Sequence, residues 1–258
     1  EAEPLPEPDI NVYETDQMVA RYIEFHYGNP ALDTKNFPLE CVKAIRPYFE
    51  TIGNERALDI GCAAGRTAFE LANHFKHVDA VDFSVRLIEA PSNLQKTGKQ
   101  RYVLADEGEL QCYREIRLDD FPEYVAVKDR ISFMQGDACN LVEKYSDYDL
   151  VFAGNLIDRL YDPGKFLSII KERIRPGGML VLSSPYTWLE EYTPRDRWLG
   201  GFKANTGENF TTLEGVEAIV GDEFTMLNQP TDISFAIRET RRKFHYGVSQ
   251  LTIWRKNA

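Results

Sequence analysis

The sequence has little material for a disulfide framework or a metal site. Its four cysteines, Cys41, Cys62, Cys112 and Cys139, lie far apart, and no Cys-x-x-Cys pair occurs. Paired or clustered cysteines are typical of secreted disulfide scaffolds and of zinc sites. We therefore expect reduced thiols, as in a cytoplasmic protein, and no bound metal.

Basic residues and long apolar segments are also scarce. Lys and Arg number 30 against 41 Asp and Glu, which gives a net charge of −11. Nucleic-acid binding needs a basic surface for the phosphates, so no nucleic-acid partner is expected. No apolar run reaches transmembrane length and no secretory signal is expected at the start, so neither a membrane partner nor export is predicted. The expected location is the cytoplasm.

The composition otherwise suits one folded domain. The chain has 258 residues, of which 43% are hydrophobic, enough for a single core with an elaboration. Residues 1–11 alternate proline with acidic residues, which predicts an extended acidic linker. Residues 12–258 are predicted to form one domain, with a β-hairpin inserted at about residues 99–120, where alternating segments flank Asp-Glu-Gly-Glu.

The residues around which this domain is organised lie at positions 57–66, Ala-Leu-Asp-Ile-Gly-Cys-Ala-Ala-Gly-Arg. An apolar run contains an acid, small residues follow at alternate positions, and residues 67–75 then show helical spacing, which predicts a strand, a tight turn and a helix. Small residues let the backbone approach a ligand, and a helix start offers N–H groups. The candidate ligand-binding residues here are Asp59, Gly61, Cys62, Ala63 and Gly65.

A second strand ends in an acid, Asp82, about 20 residues beyond the first glycine, and Phe83 follows it. Such an acid accepts hydrogen bonds from ribose hydroxyls. The two motifs together resemble class I S-adenosylmethionine-dependent methyltransferases. The resemblance implies an α/β, Rossmann-like fold with a mostly parallel seven-stranded sheet and an antiparallel C-terminal edge. It also implies S-adenosylmethionine as cofactor and S-adenosylhomocysteine as product. NAD and NADP are not expected, because the third glycine of the dinucleotide fingerprint is missing.

The ends of two further strands complete the implied cofactor site. In the methyltransferase pattern, Asp137 bonds the adenine amino group and the backbone of Ala138 meets the ring. Asn155 follows the fourth strand, at the edge where ligands bind in open α/β sheets, and the strand is predicted to run into a helix. We expect Asn155 to contact the cofactor and to orient the acceptor.

Three other stretches indicate the acceptor. They are residues 13–28, predicted as a helix from Thr15 to Gly28 that is either a core helix or a lid, the inserted hairpin, and the aromatic loop at 185–202. Together they resemble the methyltransferase domain of ovothiol biosynthesis, which methylates the imidazole π-nitrogen of 5-thiohistidine (4-mercaptohistidine). In that family the domain is fused to, or works with, an iron-dependent sulfoxide synthase, which is the implied partner.

The chemistry predicts orienting groups rather than a dedicated base, because a neutral imidazole nitrogen is already nucleophilic. Asn155, Tyr27 and Tyr186 are the candidate orienting residues, and His26 is either a base or a hydrogen-bonded structural residue. The acceptor carboxylate would bind Arg159, Arg195 or Arg197. The candidate substrate-binding residues are Tyr13, His26, Tyr27, Arg159, Tyr186, Trp188 and Arg195. Two alternatives stay open: a methyltransferase for another small acceptor, such as a quinone or carboxylate, and a non-catalytic cofactor-binding module.

Overall fold

The computed structural model describes residues 12–258, so the predicted linker at residues 1–11 lies outside the described residues. The helices are α1 (Asp16–Tyr27), α2 (Phe37–Ile45), α3 (Arg66–Ala72), α4 (Val85–Thr97), α5 (Pro122–Val127), α6 (Pro163–Glu172) and α7 (Thr212–Val220). The strands are β1 (Arg56–Ile60), β2 (His77–Asp82), β3 (Lys99–Ala105), β4 (Gln111–Arg117), β5 (Ile131–Gln135), β6 (Tyr148–Gly154), β7 (Ile174–Ser184), β8 (Phe202–Lys203), β9 (Asn209–Phe210), β10 (Phe224–Met226), β11 (Thr231–Arg238) and β12 (Phe244–Lys256).

The central sheet is mostly parallel and has an antiparallel edge. Its parallel strands run in the order β7-β6-β1-β2-β5, and β12 pairs antiparallel with β7. The strand order reverses between β1 and β6, and in open α/β sheets such a reversal opens a ligand crevice at the carboxyl ends of the strands. The sheet has eight strands rather than the predicted seven, because the 13-residue β12 is long enough to pair with both β10 and β11.

Helices cover both faces of the sheet and enclose two apolar clusters. The first cluster joins the sheet to α1 through α5 and to the β3–β4 hairpin, and the second joins it to α6 and α7. Strands covered on both faces have no solvent side. This explains why β6 is buried along all but its last residue and reads as a nearly continuous apolar run.

Capping residues set the helix starts. The side chain of Thr15 accepts a hydrogen bond from the Met18 N–H at the start of α1, and the Gly28 N–H donates to the Glu24 carbonyl at its end. Both ends of this helix are as the sequence predicts. Ser84 caps α4 by accepting from the Leu87 N–H, also as predicted.

Two predicted helices differ from the structure. The sequence predicts that α4 ends at Ala90, but it continues to Thr97 with Pro91 inside it. Proline removes one helix hydrogen bond. The ring of Pro91 nevertheless packs so closely on Gly65 that a Cβ at Gly65 would lie 2.7 Å from it. The helix predicted directly after β6 is only a 3₁₀ turn, Ile157–Arg159. The next helix, α6, begins separately after its own cap, Asp162.

The predicted hairpin forms between the second and third core strands, where β3 pairs antiparallel with β4. It packs beside α1, and the Tyr102 hydroxyl donates to the Glu24 carboxylate across 2.6 Å. Ala20, Ile23 and His26 of α1 are buried, while Tyr22 and Phe25 face a cavity. The first helix is therefore both a core element and a cover. No helix among residues 12–258 is long and apolar enough to cross a bilayer.

Candidate active site

A cavity of about 320 Å³ lies over the carboxyl ends of β1, β2, β5 and β6. This is the edge where the reversal of strand order predicts a ligand. Most of the predicted site residues line it: Asp59, Gly61, Cys62, Ala63, Asp82, Phe83, Asp137, Ala138, Asn155, Tyr13, His26 and Arg159. The motifs at the four strand ends therefore converge on one site.

The small-residue turn after β1 needs its sequence for conformational reasons. Gly61, Ala63 and Gly65 have φ angles of 75°, 46° and 80°, in the left-handed region that side chains with a Cβ disfavour. A Cβ at Gly61 would lie 2.9 Å from the side chain of Leu156. Gly61 and Ala63 line the cavity, whereas Gly65 does not. The expectation that Gly65 contacts the ligand is corrected, since Gly65 packs instead on Pro91 and Phe133.

The backbone N–H groups of this turn are already used within the protein. Those of Gly61 and Cys62 donate to the Val81 carbonyl, at 2.8 and 3.1 Å. The Ala63 N–H donates to the Asp82 carboxylate at 2.9 Å. The N–H of Arg66, which begins α3, donates to the ring Nδ1 of His26 at 3.2 Å. The N–H groups of Gly61, Cys62, Ala63 and Arg66 are therefore taken within the protein, so the expectation that the start of α3 offers free N–H groups fails at Arg66.

Asp59 is a buried carboxyl without full hydrogen bonding. It is 1% exposed, and its Oδ2 has no partner among the described residues. Burial, together with the nearby Asp82 charge, raises the pKa of Asp59 to about 8. A buried carboxylate is stabilised by a cation or a donor. Asp59 lines the cavity, so it could take such a group from a ligand.

Asp82 and Asp137 sit at the ends of β2 and β5. The Asp82 carboxylate accepts from the N–H groups of Ala63 and Ser84, both at 2.9 Å. Burial raises the pKa of Asp82 to about 6. The Asp137 carboxylate accepts from the Cys139 N–H and the Tyr161 hydroxyl, both at 2.8 Å. The exposed ring of Phe83 and the backbone of Ala138 line the wall between these two acids.

Asn155 has a φ of 51° directly after β6. Its backbone N–H donates to the Ser183 carbonyl at 2.8 Å, and its Oδ1 accepts from the Ser249 hydroxyl at 2.6 Å. The Nδ2 group makes no hydrogen bond to residues 12–258. Since Oδ1 is taken by Ser249, the NH₂ group is the part of Asn155 left for a ligand.

His26 lines the cavity as a neutral residue. Burial, with the Arg66 charge beside it, lowers the pKa of His26 to about 3. Its Nδ1 lone pair is occupied by the Arg66 N–H. Of the two predicted roles for His26, the geometry favours the hydrogen-bonded structural one.

Arg159 is the only one of the three candidate arginines that lines the cavity. Its guanidinium lies 5.0 Å from the ring centroid of Tyr192. Arg195 is exposed and stacks on Trp198 at 4.4 Å. Arg197 is paired with Asp162 at 2.8 Å. The choice that the sequence left open therefore falls on Arg159, and the expected role of Arg195 is corrected.

Tyr27, Tyr186 and Trp188 lie outside the cavity lining, so their expected roles are also corrected. The Tyr27 hydroxyl donates to the Ala64 carbonyl at 3.1 Å, from behind the small-residue turn. The Tyr186 hydroxyl donates to Gln250 at 3.1 Å. The buried Trp188 indole donates to Thr212 at 2.8 Å. These side chains support the turn and the aromatic loop rather than the ligand.

Of the tyrosines predicted from the sequence, Tyr13 lines the cavity, whereas Tyr27 and Tyr186 do not. The cavity is also lined by residues that were not selected: Tyr22, Phe25, Phe37, Pro38, Thr67, Leu156, Tyr161, Glu191, Tyr192 and Ile237. Helix geometry offers a signal for Tyr22, because Tyr22 and His26 are four residues apart on one face and Tyr27 is rotated by about 100° from His26. The aromatic loop offers no comparable periodicity, so Tyr192 had no such signal.

Comparisons with known proteins agree with this site. The family described as "Methyltransferase domain" matches residues 58–180, from β1 to β7. A probable cobalt-precorrin-6B C(15)-methyltransferase (decarboxylating) of Methanothermobacter thermautotrophicus is 26% identical over 132 residues. That alignment covers 51% of this chain and 53% of the relative, so the chain matches about half of the relative's length.

Solved structures show the same fold at low identity. The N-methyltransferase NodS from Bradyrhizobium japonicum WM9, in complex with S-adenosyl-L-homocysteine, has a TM-score of 0.52 at 16% identity. The match covers 92% of this chain and 97% of NodS. The [4+2]-cyclase SpnF also has a TM-score of 0.52, at 14% identity, covering 85% of this chain and 80% of that protein. The fold by itself therefore does not fix the reaction.

The fold and the cavity define a Rossmann-like α/β protein with a ligand site at its strand ends. Over residues 58–180, just under half of the chain, the sequence matches the methyltransferase-domain family, and the chain shares the fold of an N-methyltransferase solved with S-adenosyl-L-homocysteine. The predicted fold, enzyme class and cofactor are confirmed at this level.

The cavity fits S-adenosylmethionine by its own chemistry. The unpartnered Asp59 oxygen suits the ammonium of the methionine part. Asp82 keeps acceptor capacity for ribose hydroxyls, since each carboxylate oxygen accepts more than one bond. Phe83 offers an apolar ring surface beside Asp82 for the adenine. The chain thus supplies contacts suited to the ammonium, the ribose and the adenine of the cofactor.

Proposed function

We propose that this chain transfers the methyl group of S-adenosylmethionine to the imidazole π-nitrogen of 5-thiohistidine. The cofactor supplies an electrophilic methyl carbon on a positively charged sulfur. The ring nitrogen lone pair forms the new N–C bond while the C–S electron pair returns to the sulfur. The positive charge of the sulfonium moves with the methyl group to the ring, where the negative thiolate of the acceptor balances it, and no proton has to leave before the attack.

The observation that carries the proposal is the state of His26. It is the only imidazole that lines the cavity among residues 12–258, and its Nδ1 lone pair is held by the Arg66 N–H. A hydroxyl acceptor such as a quinol needs a base to remove its proton, whereas a neutral ring nitrogen does not. The cavity thus offers no free imidazole base among the described residues, only the carboxyl groups of Asp59, Asp82, Asp137 and Glu191, and it suits an acceptor that attacks with a lone pair it already has.

The role of the protein is then to position the acceptor and exclude water. The cavity is bordered by the Val12–Glu14 turn, by α1 and by the Tyr192 segment of the aromatic loop. Asn155 lies at the end of β6, and its side-chain NH₂ group is available. This group can donate a hydrogen bond to the acceptor sulfur or ring and so orient the acceptor. We also propose that an iron-dependent sulfoxide synthase supplies the acceptor, which the resemblance to ovothiol enzymes implies.

A competition assay tests the proposal. The protein is supplied with S-adenosylmethionine and an equal mixture of 5-thiohistidine and histidine under reducing conditions, and the products are measured by mass spectrometry. We expect methylated 5-thiohistidine, with histidine a much poorer substrate. Histidine has a hydrogen in place of the sulfur, so the protein groups that would contact the sulfur are left without a partner. Asp82→Ala is the control that should lower both rates.

Other results would redirect the assignment. Equal rates on histidine would show that the sulfur is not recognised. Turnover of a quinol in place of both amino acids would favour another small-molecule methyltransferase. Tight S-adenosylhomocysteine binding without turnover of any of these acceptors would favour a non-catalytic cofactor-binding module.

A further inference from the structure

Three tyrosines from separate segments meet at the end of the cavity beyond the cofactor residues. Tyr13 comes from the N-terminal turn, Tyr22 from α1 and Tyr192 from the aromatic loop. The ring of Tyr13 lies 6.0 Å from that of Tyr22 and 6.3 Å from that of Tyr192, between centroids. The Tyr13 hydroxyl acts electrostatically on both of the others. We call these three residues the tyrosine cluster.

The cluster offers hydrogen-bond donors rather than negative charge. Burial raises the pKa of Tyr22 to about 12, and it raises the pKa of Tyr13 further, so both phenols stay protonated at neutral pH. A phenol hydroxyl can donate one bond and accept others. A chain of such hydroxyls can therefore turn a donor toward an anion that enters the cavity.

Arg159 is fixed beside the cluster by groups outside the cavity. Its NH1 donates to the Thr187 carbonyl at 2.9 Å and lies 3.1 Å from Asp158 Oδ2. Its NH2 donates to the Thr187 hydroxyl at 2.9 Å. The same Asp158 oxygen accepts from the Thr187 N–H and hydroxyl, both at 2.9 Å. Asp158 and Thr187 thus anchor one edge of the guanidinium, while Nε makes no hydrogen bond to residues 12–258.

The charges around the cavity set the kind of anion. Arg159 is the only Lys or Arg among the described residues that line it. Asp59, Asp82, Asp137 and Glu191 also line the cavity, and Asp82 acts electrostatically on Tyr22. A phosphate with two charges would be repelled by these acids, whereas a single negative charge is balanced by one guanidinium. Glu191, next to Tyr192 in the chain, suits an ammonium on the same ligand.

We propose that Arg159 and the tyrosine cluster form a subsite for the carboxylate of a free amino acid, the acceptor of the methyl group. This subsite extends the proposed function. It rests on that function only for which ring the acceptor carries. A planar guanidinium matches the two oxygens of a carboxylate, which a single thiolate sulfur does not. Asp158 is a positioning residue, because it acts on the ligand through Arg159 and Thr187. The acceptor is therefore a free amino acid rather than its decarboxylated amine.

The test compares acceptors with and without the carboxylate. The protein is saturated with S-adenosylhomocysteine and titrated calorimetrically with 5-thiohistidine, its decarboxylated amine 5-thiohistamine, histidine and histamine. In the unaltered protein we expect each carboxylate compound to bind about tenfold or more tightly than its amine. In Arg159→Gln this preference should fall to within about twofold. Tyr192→Phe and Asp158→Asn should reduce it by smaller factors, and Arg195→Gln, an exposed loop arginine, is the matched control that should retain it.

The outcomes separate this proposal from the proposed function. If histidine shows the Arg159-dependent preference and 5-thiohistidine is not methylated, the subsite stands and the ring assignment falls. If 5-thiohistidine is methylated but Arg159→Gln keeps the full preference, the subsite is overturned. If Arg159→Gln weakened 5-thiohistidine and 5-thiohistamine by the same factor and left the preference for the carboxylate unchanged, the subsite would belong to the thiolate and the proposal would be overturned. Absence of binding by all four compounds would overturn both proposals.

Discussion

The two halves of the cavity are built in different ways. The cofactor half comes from consecutive strand ends of one parallel sheet, where Asp59, Asp82 and Asp137 follow β1, β2 and β5. The acceptor half joins segments far apart in the chain, and all five parallel strands of the sheet lie between its Tyr13 and Tyr192 in sequence. The first half depends on backbone topology, while the second depends on side chains that reach across from loops.

This difference predicts how each half responds to change. The cofactor half is held by backbone hydrogen bonds of the sheet and of the small-residue turn, so its shape should survive changes in the acceptor half. The acceptor half is held by single contacts, such as Asp158 with Thr187 and Glu14 with the start of α4. Loss of one such contact should weaken acceptor binding and leave cofactor binding nearly unchanged. The following experiments test that separation.

The largest effect is expected from Asp82→Ala. The change leaves the N–H groups of Ala63 and Ser84 and the ribose hydroxyls without their acceptor, a loss of roughly 1.5–3 kcal/mol for a charged acceptor. Calorimetric titration should show S-adenosylhomocysteine binding about 10- to 150-fold weaker. Circular dichroism checks that the variant is folded. A folded variant with unchanged affinity would contradict the assignment of Asp82.

Cofactor binding should also depend on pH, because burial raises the pKa of Asp59 to about 8 and that of Asp82 to about 6. Both carboxyls bind protons more tightly when folded than when unfolded. Their contribution to the unfolding free energy of the ligand-free protein is therefore present at low pH and is lost as pH rises from about 4 to about 8.

A ligand ammonium favours the ionised form of Asp59, so binding should release a proton. The affinity for S-adenosylhomocysteine should rise on the order of tenfold between pH 6.5 and 8. Titrations in two buffers of different ionisation enthalpy measure the released proton directly, and Asp59→Asn should flatten the pH dependence. An affinity that falls over this range would show that Asp59 is not the partner of the ammonium.

A smaller effect is expected from Glu14→Gln, which acts on the acceptor half. The Glu14 carboxylate accepts from the Val85 N–H at 2.9 Å at the start of α4, and the Ser84 hydroxyl donates to the Tyr13 carbonyl at 3.0 Å. A negative charge at a helix N-terminus contributes about 0.3–1 kcal/mol. The KM for the acceptor should therefore rise about two- to fivefold. If the affinity for S-adenosylhomocysteine fell by the same factor, the two halves would not respond independently.

The smallest effect is expected from Tyr186→Phe. Its hydroxyl donates to Gln250 outside the cavity, at 3.1 Å. A single neutral hydrogen bond contributes about 0.5–1.5 kcal/mol to stability, and acceptor affinity should change less than about twofold. Tyr192→Phe is the matched change inside the cavity and should weaken acceptor binding more. If Tyr186→Phe weakened acceptor binding more than Tyr192→Phe, the assignment of Tyr192 to the acceptor half would be wrong.

The difference in how the cofactor half and the acceptor half are built explains how much of the site can be predicted from the sequence. Asp59, Asp82 and Asp137 are recognisable because each lies at or beside the carboxyl end of a strand, and parallel strands bring these ends to one edge. The acceptor residues follow no such rule. Tyr27 and Tyr22 lie on one helix, and only its rotation on the sheet decides which of them faces the cavity. Tyr186 and Tyr192 lie in one loop, where the left-handed backbone at Tyr186 and the Asp158–Thr187 contacts set the direction.

The position of the transferred methyl group tests the central claim most directly. S-adenosylmethionine labelled with ¹³C in its methyl group is incubated with 5-thiohistidine, and the product is examined by NMR for correlations between the labelled methyl and the ring carbons. We expect a methyl group on the π-nitrogen, next to the ring carbon that carries the amino-acid side chain. A methyl group on the sulfur, on the α-amine or on the other ring nitrogen would contradict the acceptor geometry proposed for Arg159, Asn155 and the tyrosine cluster.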